Sequence, residues 1–422
     1  MKRPGDVACG IAIATLTLSS CRHYLEEPTP DRTADYFRVH LGTQSQEHLG
    51  SAVCGVGDWN GDGRADYAIG ARGDARIISG ASGKELLRLA APQDSSGFGA
   101  ALCLLNDVDG DGRRDFAVSA PGDPPRTVAD GPERRLGLVE IRSGQDGRLL
   151  RTLRGPPEAS EFGRTLAHLE DTENPAASLL LAANSRCQTK LYYEPIDAHV
   201  PTGAIVTAIP AFVLAFRCED GEVAYRFEGP DGRWLSPDVA RCGDVDGDGF
   251  PDFTATGENA LHVASGRSGR ILRTVGLELN EGHAIPSDDR FDFDRDNIPD
   301  HAVAEFVFET MRVDGRVEVF SGRDGSRLWS TRCHAFDAAW SNGAGGERVL
   351  AVTGTRSLAL FRPPGPNPIS TLALSGDFHF RHIATVGDVD GDGLPDFALS
   401  DDSDGGWVGI LSSETVREAL RR

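Results

Sequence analysis

The sequence predicts an all-β fold: a seven-bladed β-propeller of four-stranded blades, with calcium-binding loops between strands 1 and 2. Three observations carry this. A nine-residue aspartate phrase occurs five times in good form and twice in decayed form. A glycine-centred hairpin pattern recurs between the copies. Phrases that start at 58 and 107, or at 244 and 292, lie 49 or 48 residues apart. A unit of just under fifty residues holding four short strands cannot bury both its faces alone. Stacking such units in a ring is the way that it can. Composition agrees, since 50 glycines and only 2 methionines among 422 residues suit many short strands joined by turns.

The chain opens on Lys2 and Arg3, followed by the apolar run 7–18, "VACGIAIATLTL". Residues 1–20 therefore read as a signal peptide whose apolar core is too short to span a bilayer. Leu18-Ser19-Ser20-Cys21 resembles the lipobox of bacterial lipoproteins. That resemblance implies cleavage before Cys21, a lipidated cysteine and a membrane-anchored protein at the cell surface or in the periplasm. The alternative is a plain secretory signal. Residues 21–35 are polar and proline-containing, and read as a tether. The propeller is expected over 36–422. Residues 38–53 align without gaps on 151–166, where a fourth strand leads into the next first strand. Residues near 36–41 thus read as a fourth strand lacking a blade of its own, expected to complete the last blade beside 407–413. The tail 412–422 carries helix formers.

The five good phrases are "DWNGDGRAD" (58–66), "DVDGDGRRD" (107–115), "DVDGDGFPD" (244–252), "DFDRDNIPD" (292–300) and "DVDGDGLPD" (388–396). A short apolar run follows each. The decayed copies lie at 170–183, with Glu170, Thr172, Asn174 and Ser178 in the ligand places, and at 339–354, with Ser341 and Glu347. The hairpins are clearest at 76–89, 139–153, 261–275 and 317–331, with a fifth at 214–227.

Four like charges this close need a cation among them. Positions 1, 3, 5 and 9 supply side-chain oxygens and position 7 a carbonyl. The predicted ligand sets are Asp58, Asn60, Asp62, Arg64 and Asp66; Asp107, Asp109, Asp111, Arg113 and Asp115; and Asp244, Asp246, Asp248, Phe250 and Asp252. The last two are Asp292, Asp294, Asp296, Ile298 and Asp300, and Asp388, Asp390, Asp392, Leu394 and Asp396. Hard, partly anionic oxygen donors suit Ca²⁺, at about five per chain. Those ions would move the formal charge from −21 to −11. An EF-hand is excluded, because its bidentate Glu at position 12 is replaced by Ile69, Val118, Ala255, Val303 and Leu399.

The motif D-x-D-x-D-G-x-x-D, with Phe98-Gly99, Phe162-Gly163 and Leu49-Gly50 ahead of blades, resembles the FG-GAP repeat of the integrin α-subunit propeller and its bacterial relatives. The resemblance spans about 36–422. It implies a calcium-stabilised propeller that binds or scaffolds, through protein or glycan contacts, without catalysis.

Chemistry beyond the loops is sparse. The acidic balance disfavours nucleic acid. No GxSxG, HExxH or GxxxxGK[ST] is present. Arg72-Gly73-Asp74 aligns with Pro121-Gly122-Asp123 and reads as a turn. A quinoprotein-like propeller enzyme is the rival reading, suggested by "VFSGRDGSRLWS". Only Trp329 fits it, with Leu86, Leu149 and Leu272 at or beside that place in other hairpins. Cys54 and Cys103 share one repeat position, which marks a small strand position rather than a disulfide. For a partner, the long connection 185–203 is expected to be an exposed loop opposite the aspartate face. It carries Lys190, Tyr192, Tyr193 and His199 as contact candidates. A monomer is expected.

Overall fold

The computed structural model describes residues 37–92, 97–122, 137–157, 159–185, 188–191, 205–208, 211–229, 238–257, 259–278, 281–285, 291–309, 312–333, 337–342, 348–354, 357–361, 370–373, 381–403 and 405–413. The expected signal peptide, Cys21, the tether and the tail beyond 413 lie outside these residues.

Seven four-stranded antiparallel sheets form the blades. Blade I holds Val53–Gly57, Asp66–Ala71, Asp74–Ile78 and Glu85–Ala90. Blade II holds Leu102–Leu104, Phe116–Ala120, Leu138–Arg142 and Leu149–Arg154. Blade III holds Ser160–Leu169, Leu179–Ser185, Phe212–Arg217 and Val223–Glu228. Blade IV holds Val239–Arg241, Phe253–Gly257, Ala260–Ala264 and Ile271–Gly276. Blade V holds Glu281–Ile285, His301–Glu309, Arg312–Phe320 and Arg327–Cys333. Blade VI holds Asp337–Asn342, Arg348–Thr353, Ser357–Phe361 and Ser370–Ala373. Blade VII takes His382–Gly387, Asp396–Asp401 and Trp407–Leu411 from the end of the chain, and Phe37–Leu41 from its beginning.

That last pairing closes the ring as expected. Phe37 lies opposite Leu411 and Leu41 opposite Trp407. Closure matters because the fold has no single core. Among the described residues the buried apolar side chains fall into seven clusters, each spanning two neighbouring blades. Leu49, Tyr67 and Ile69 of the blade I side meet Val386, Val408 and Ile410 of blade VII across the seam. Second strands are packed on both faces and read as unbroken apolar runs. Asp66–Ala71 and Phe116–Ala120 are buried throughout. Fourth strands lie at the outer edge, where Leu149 and Val223 remain exposed.

The paired aromatic or leucine and glycine ahead of blades I to III have a steric cause. Phe98, Phe162 and Leu49 are buried, and the glycines after them have φ near +90°. A Cβ on Gly99 would sit 2.4 Å from the carbonyl oxygens of Ala71 and Asp74, while its N–H donates to Ser119 O. We expect Gly99→Ala to cost at least about 3 kcal/mol, through left-handed strain and a backbone clash. Thermal melts against Ala101→Gly, an ordinary neighbouring change, would check this.

The connection 185–203 departs from the sequence expectation of a plain exposed loop. Gln188–Leu191 pairs antiparallel with Ile205–Ala208, so a two-stranded ribbon rises from blade III between its second and third strands. Lys190 sits on that ribbon opposite Val206. Tyr192, Tyr193 and His199 fall outside the described residues. Period-2 patterning is weak here, which is why the ribbon was not legible.

Candidate metal centre

Each good aspartate phrase spans the turn between the first and second strands of its blade, and all five share one hydrogen-bond plan. The position-1 carboxylate gathers backbone N–H groups ahead of it. Asp58 Oδ1 accepts from Gly61 and Asp62 N–H, and Oδ2 from Gly63 N–H, at 2.8–3.0 Å. Asp107 and Asp244 repeat this triple, each with its own positions 4, 5 and 6. Position 3 accepts from the N–H of position 5, as at Asp246 and Asp294. Position 5 accepts from the N–H of position 7: Asp62 from Arg64, Asp111 from Arg113, Asp248 from Phe250, Asp296 from Ile298 and Asp392 from Leu394. The curl therefore spends one oxygen of the position-3 and position-5 side chains on the backbone. Glycine at position 6 has φ near +80°, and in blade V Asn297 adopts φ 65° in its place.

Oxygens converge accordingly. Asp107, Asp109 and Asp115, then Asp292, Asp294 and Asp300, then Asp388, Asp390 and Asp396 each bring one oxygen within 4.8 Å of the others. In blade IV the trio is Asp244, Asp246 and Asp248. In blade I, Asn60 replaces the third-position carboxylate, and its amide donates to Asp62 Oδ2 at 2.9 Å. Guanidinium groups stand against the remaining oxygens of three loops. Arg267 reaches Asp248 Oδ2 at 3.2 Å, Arg323 reaches Asp296 Oδ2 at 2.5 Å, and Arg148 reaches Asp109 Oδ2 at 2.7 Å. An all-oxygen, largely anionic donor set that already attracts cations fits a hard divalent ion.

The ninth aspartate does more than the sequence suggested. Asp66, Asp115, Asp252, Asp300 and Asp396 are fully buried. One oxygen accepts from positions 2 and 3 of its own loop, as Asp252 Oδ2 does from Val245 and Asp246 N–H. The other accepts from the turn after the third strand: Gly80, Gly144, Gly266, Gly322 and Ser413 N–H, at 2.7–2.9 Å. Burial pushes Asp252 and Asp396 up to about 7 and Asp300 up to about 6; the neighbouring loop carboxylates push the same way and the backbone donors oppose. Asp66 and Asp115 shift upward for the same reason.

The decayed loops are built otherwise. Glu170 holds Arg114 of blade II in a two-pronged pair, at 2.9 and 3.2 Å. Asp171, which the sequence pattern passed over, caps Glu173 and Asn174 N–H, and Ser178 Oγ accepts from Asp171 N–H. A 3₁₀ turn at Pro175–Ala177 replaces the aspartate curl. In blade VI, Ser341 lies within the first strand, opposite Val349, and Glu347 is outside the described residues. Among the described residues, no cluster of acidic side chains forms at either decayed loop.

Other candidates resolve simply. Arg72-Gly73 forms the turn after Asp66–Ala71, and Asp74 is held by Arg76 at 2.9 Å. Trp329 is buried against Phe361 between blades V and VI, at 5.7 Å between ring centroids. Cys54, Cys103, Cys218 and Cys333 are free thiols, and burial pushes Cys54 up to about 12. Among the described residues no helix is long and apolar enough to cross a membrane.

Residues 98–132 match the FG-GAP repeat family model. The match takes in Phe98-Gly99 and the loop 107–115. A search of curated proteins returns no match. Two solved structures of BBS1N in complex with ARL6DN, one soaked with lead and one with mercury, share the fold. Each has 12% identity and a TM-score of 0.53, over 88% and 90% of this chain and 96% of BBS1N.

Proposed function

Taking as premise a chain that carries an FG-GAP repeat on a seven-bladed, integrin α-like propeller, we propose a calcium-stapled binding or scaffold protein that works without catalysis. The observation that carries this is the shared hydrogen-bond plan of the five loops, with three carboxylates converging to within 4.8 Å in four of them. Calcium would supply the positive charge those oxygens lack. The predicted side-chain ligands at positions 1, 3, 5 and 9 would hold it, with Arg64, Arg113, Phe250, Ile298 and Leu394 contributing main-chain carbonyls.

The loops then serve shape rather than recognition, and recognition belongs to the opposite face. The ribbon of blade III rises there, from a connection between second and third strands. Lys190, Tyr192, Tyr193 and His199 are its proposed contacts with a protein or glycan. BBS1N, in complex with ARL6DN, is a fold-level precedent for a protein partner. Export and a lipid anchor at Cys21 would place the propeller at the cell surface or in the periplasm.

The test is affinity capture with the full chain in calcium, beside a variant lacking 187–200. The reading expects a partner retained by the intact chain and lost by the variant, while both keep the same melting temperature. Equal capture by both would overturn the recognition role of the ribbon.

A further inference from the structure

One junction of the ring is not covalent. In blades I, II, IV and V the ninth aspartate grips a turn that leads directly into the fourth strand. In blade VII the same grip falls on Ser413, beyond Trp407–Leu411, and the fourth strand arrives from the other end of the chain. Ser412 Oγ also donates to Asp390 Oδ2 of that loop. The loop 388–396 thus braces the strand on which Phe37–Leu41 is zipped.

The loop 58–66 braces the other side. Arg38, in the closing strand, donates to the carbonyls of Ser79, Gly80 and Ala81 in blade I. That turn is fixed by Asp66, through Gly80 N–H at 2.7 Å. The two loops also touch each other. Ala65 N–H donates to Asp388 O at 2.8 Å. Pro251, Pro299 and Pro395 occupy the position of Ala65 in three other loops and have no N–H to give. Arg64 lies so close over Gly391 that a Cβ there would fall 2.1 Å from its Nη1. Val389 packs against Gly80, whose absent Cβ would meet it at 3.2 Å.

The geometry points to a metal-locked seam: with loops 58–66 and 388–396 filled, Phe37–Leu41 is held in blade VII, and with them emptied it is the first strand to come away. This rests on the calcium reading proposed above. The physical reason is that Asp388, Asp390 and Asp396 crowd oxygens within 4.8 Å, and their mutual repulsion loosens the loop unless a cation sits among them. In other blades a loosened loop leaves the fourth strand tethered through its turn. Here it leaves a five-residue strand with no turn tying it to Trp407–Leu411, held by its pairing there, by Arg38, by the His40–Tyr67 hydroxyl hydrogen bond at 2.7 Å and by the packing of Leu41. Short edge elements of that kind open at the lowest free energy.

The experiment is amide hydrogen exchange on the full chain, in calcium and in chelator, with bound calcium counted in the same samples. Residues 271–276, the covalently linked fourth strand of blade IV, are the comparison. Chelation is expected to speed exchange at 37–41 by about tenfold or more, and well beyond its effect at 271–276. In calcium, the double change Asp388→Asn and Asp390→Asn should reproduce this at 37–41, whereas Asp244→Asn with Asp246→Asn should not. Should the first pair fail to fold, Arg38→Ala is the second variant, expected to speed exchange at 37–41 with the calcium count unchanged. Bound calcium with no selective response at 37–41 overturns the seam and spares the calcium reading. No bound calcium overturns both.

Discussion

Calcium at a hundredfold excess over its dissociation constants should raise the Tm by roughly 15 °C over the same protein in chelator. A ligand that binds only the folded state stabilises it by about 2.7 kcal/mol per site at that excess, and the predicted five sites together give roughly 13 kcal/mol. A chain of 422 residues melts with an entropy near 2 cal/mol/K per residue, which converts that energy into the stated shift. The sites must bind independently for the full sum, and the coupling between loops 58–66 and 388–396 bears on that. Elemental analysis gives the second reading, at about five calcium ions per chain. A Tm that calcium leaves unmoved, or one ion or none per chain, would sink the central proposal.

The second large effect separates holding metal from holding the blade. Asp252→Ala should lower the Tm even in chelator, because Asp252 serves Gly266, Val245 and Asp246 N–H in a buried site. Each orphaned donor costs about 1–3 kcal/mol, so the three together cost about 3–9 kcal/mol, or a drop of several degrees. Asp248→Asn keeps an oxygen for Phe250 N–H and gives up only an exposed pairing with Arg267. It should lose one calcium while changing chelator stability by less than about 1 kcal/mol. Equal losses in chelator would mean that the ninth aspartate has no separate structural role.

Acidity tests the same residue. Burial raises Asp252 and Asp396 to about 7 and Asp300 to about 6, from an ordinary 3.8. A raised folded-state value means the folded, metal-free protein binds protons more readily than the unfolded chain. The stability these groups contribute is fully present below 3.8 and is lost as pH rises through about 7. Calcium needs the deprotonated form, so its affinity falls as pH drops through that same window. The Tm gap between calcium and chelator should therefore narrow from pH 8 to pH 6. In Asp252→Asn part of that narrowing should vanish.

The blade count and the place of the aspartate loops were legible in the sequence alone, and the closing strand was an expectation from it that the pairing of Phe37–Leu41 with Trp407–Leu411 bears out. Each is a local or periodic signal. Oxygens around a point need fixed spacing along the chain, a repeated blade needs a repeated phrase, and 38–53 aligns with a segment that already contains a fourth strand. Only the tertiary structure decided what those residues do to one another. The grip of Asp66 on Gly80 spans a hairpin. Glu170 pairs with Arg114, 56 residues away in the chain. Arg38 and Ala65 become seam residues because the ring brings opposite ends of the chain together. Nothing in a linear pattern marks such pairs. Their partners are set by how neighbouring blades pack, and packing is fixed only once all seven faces have closed on one another.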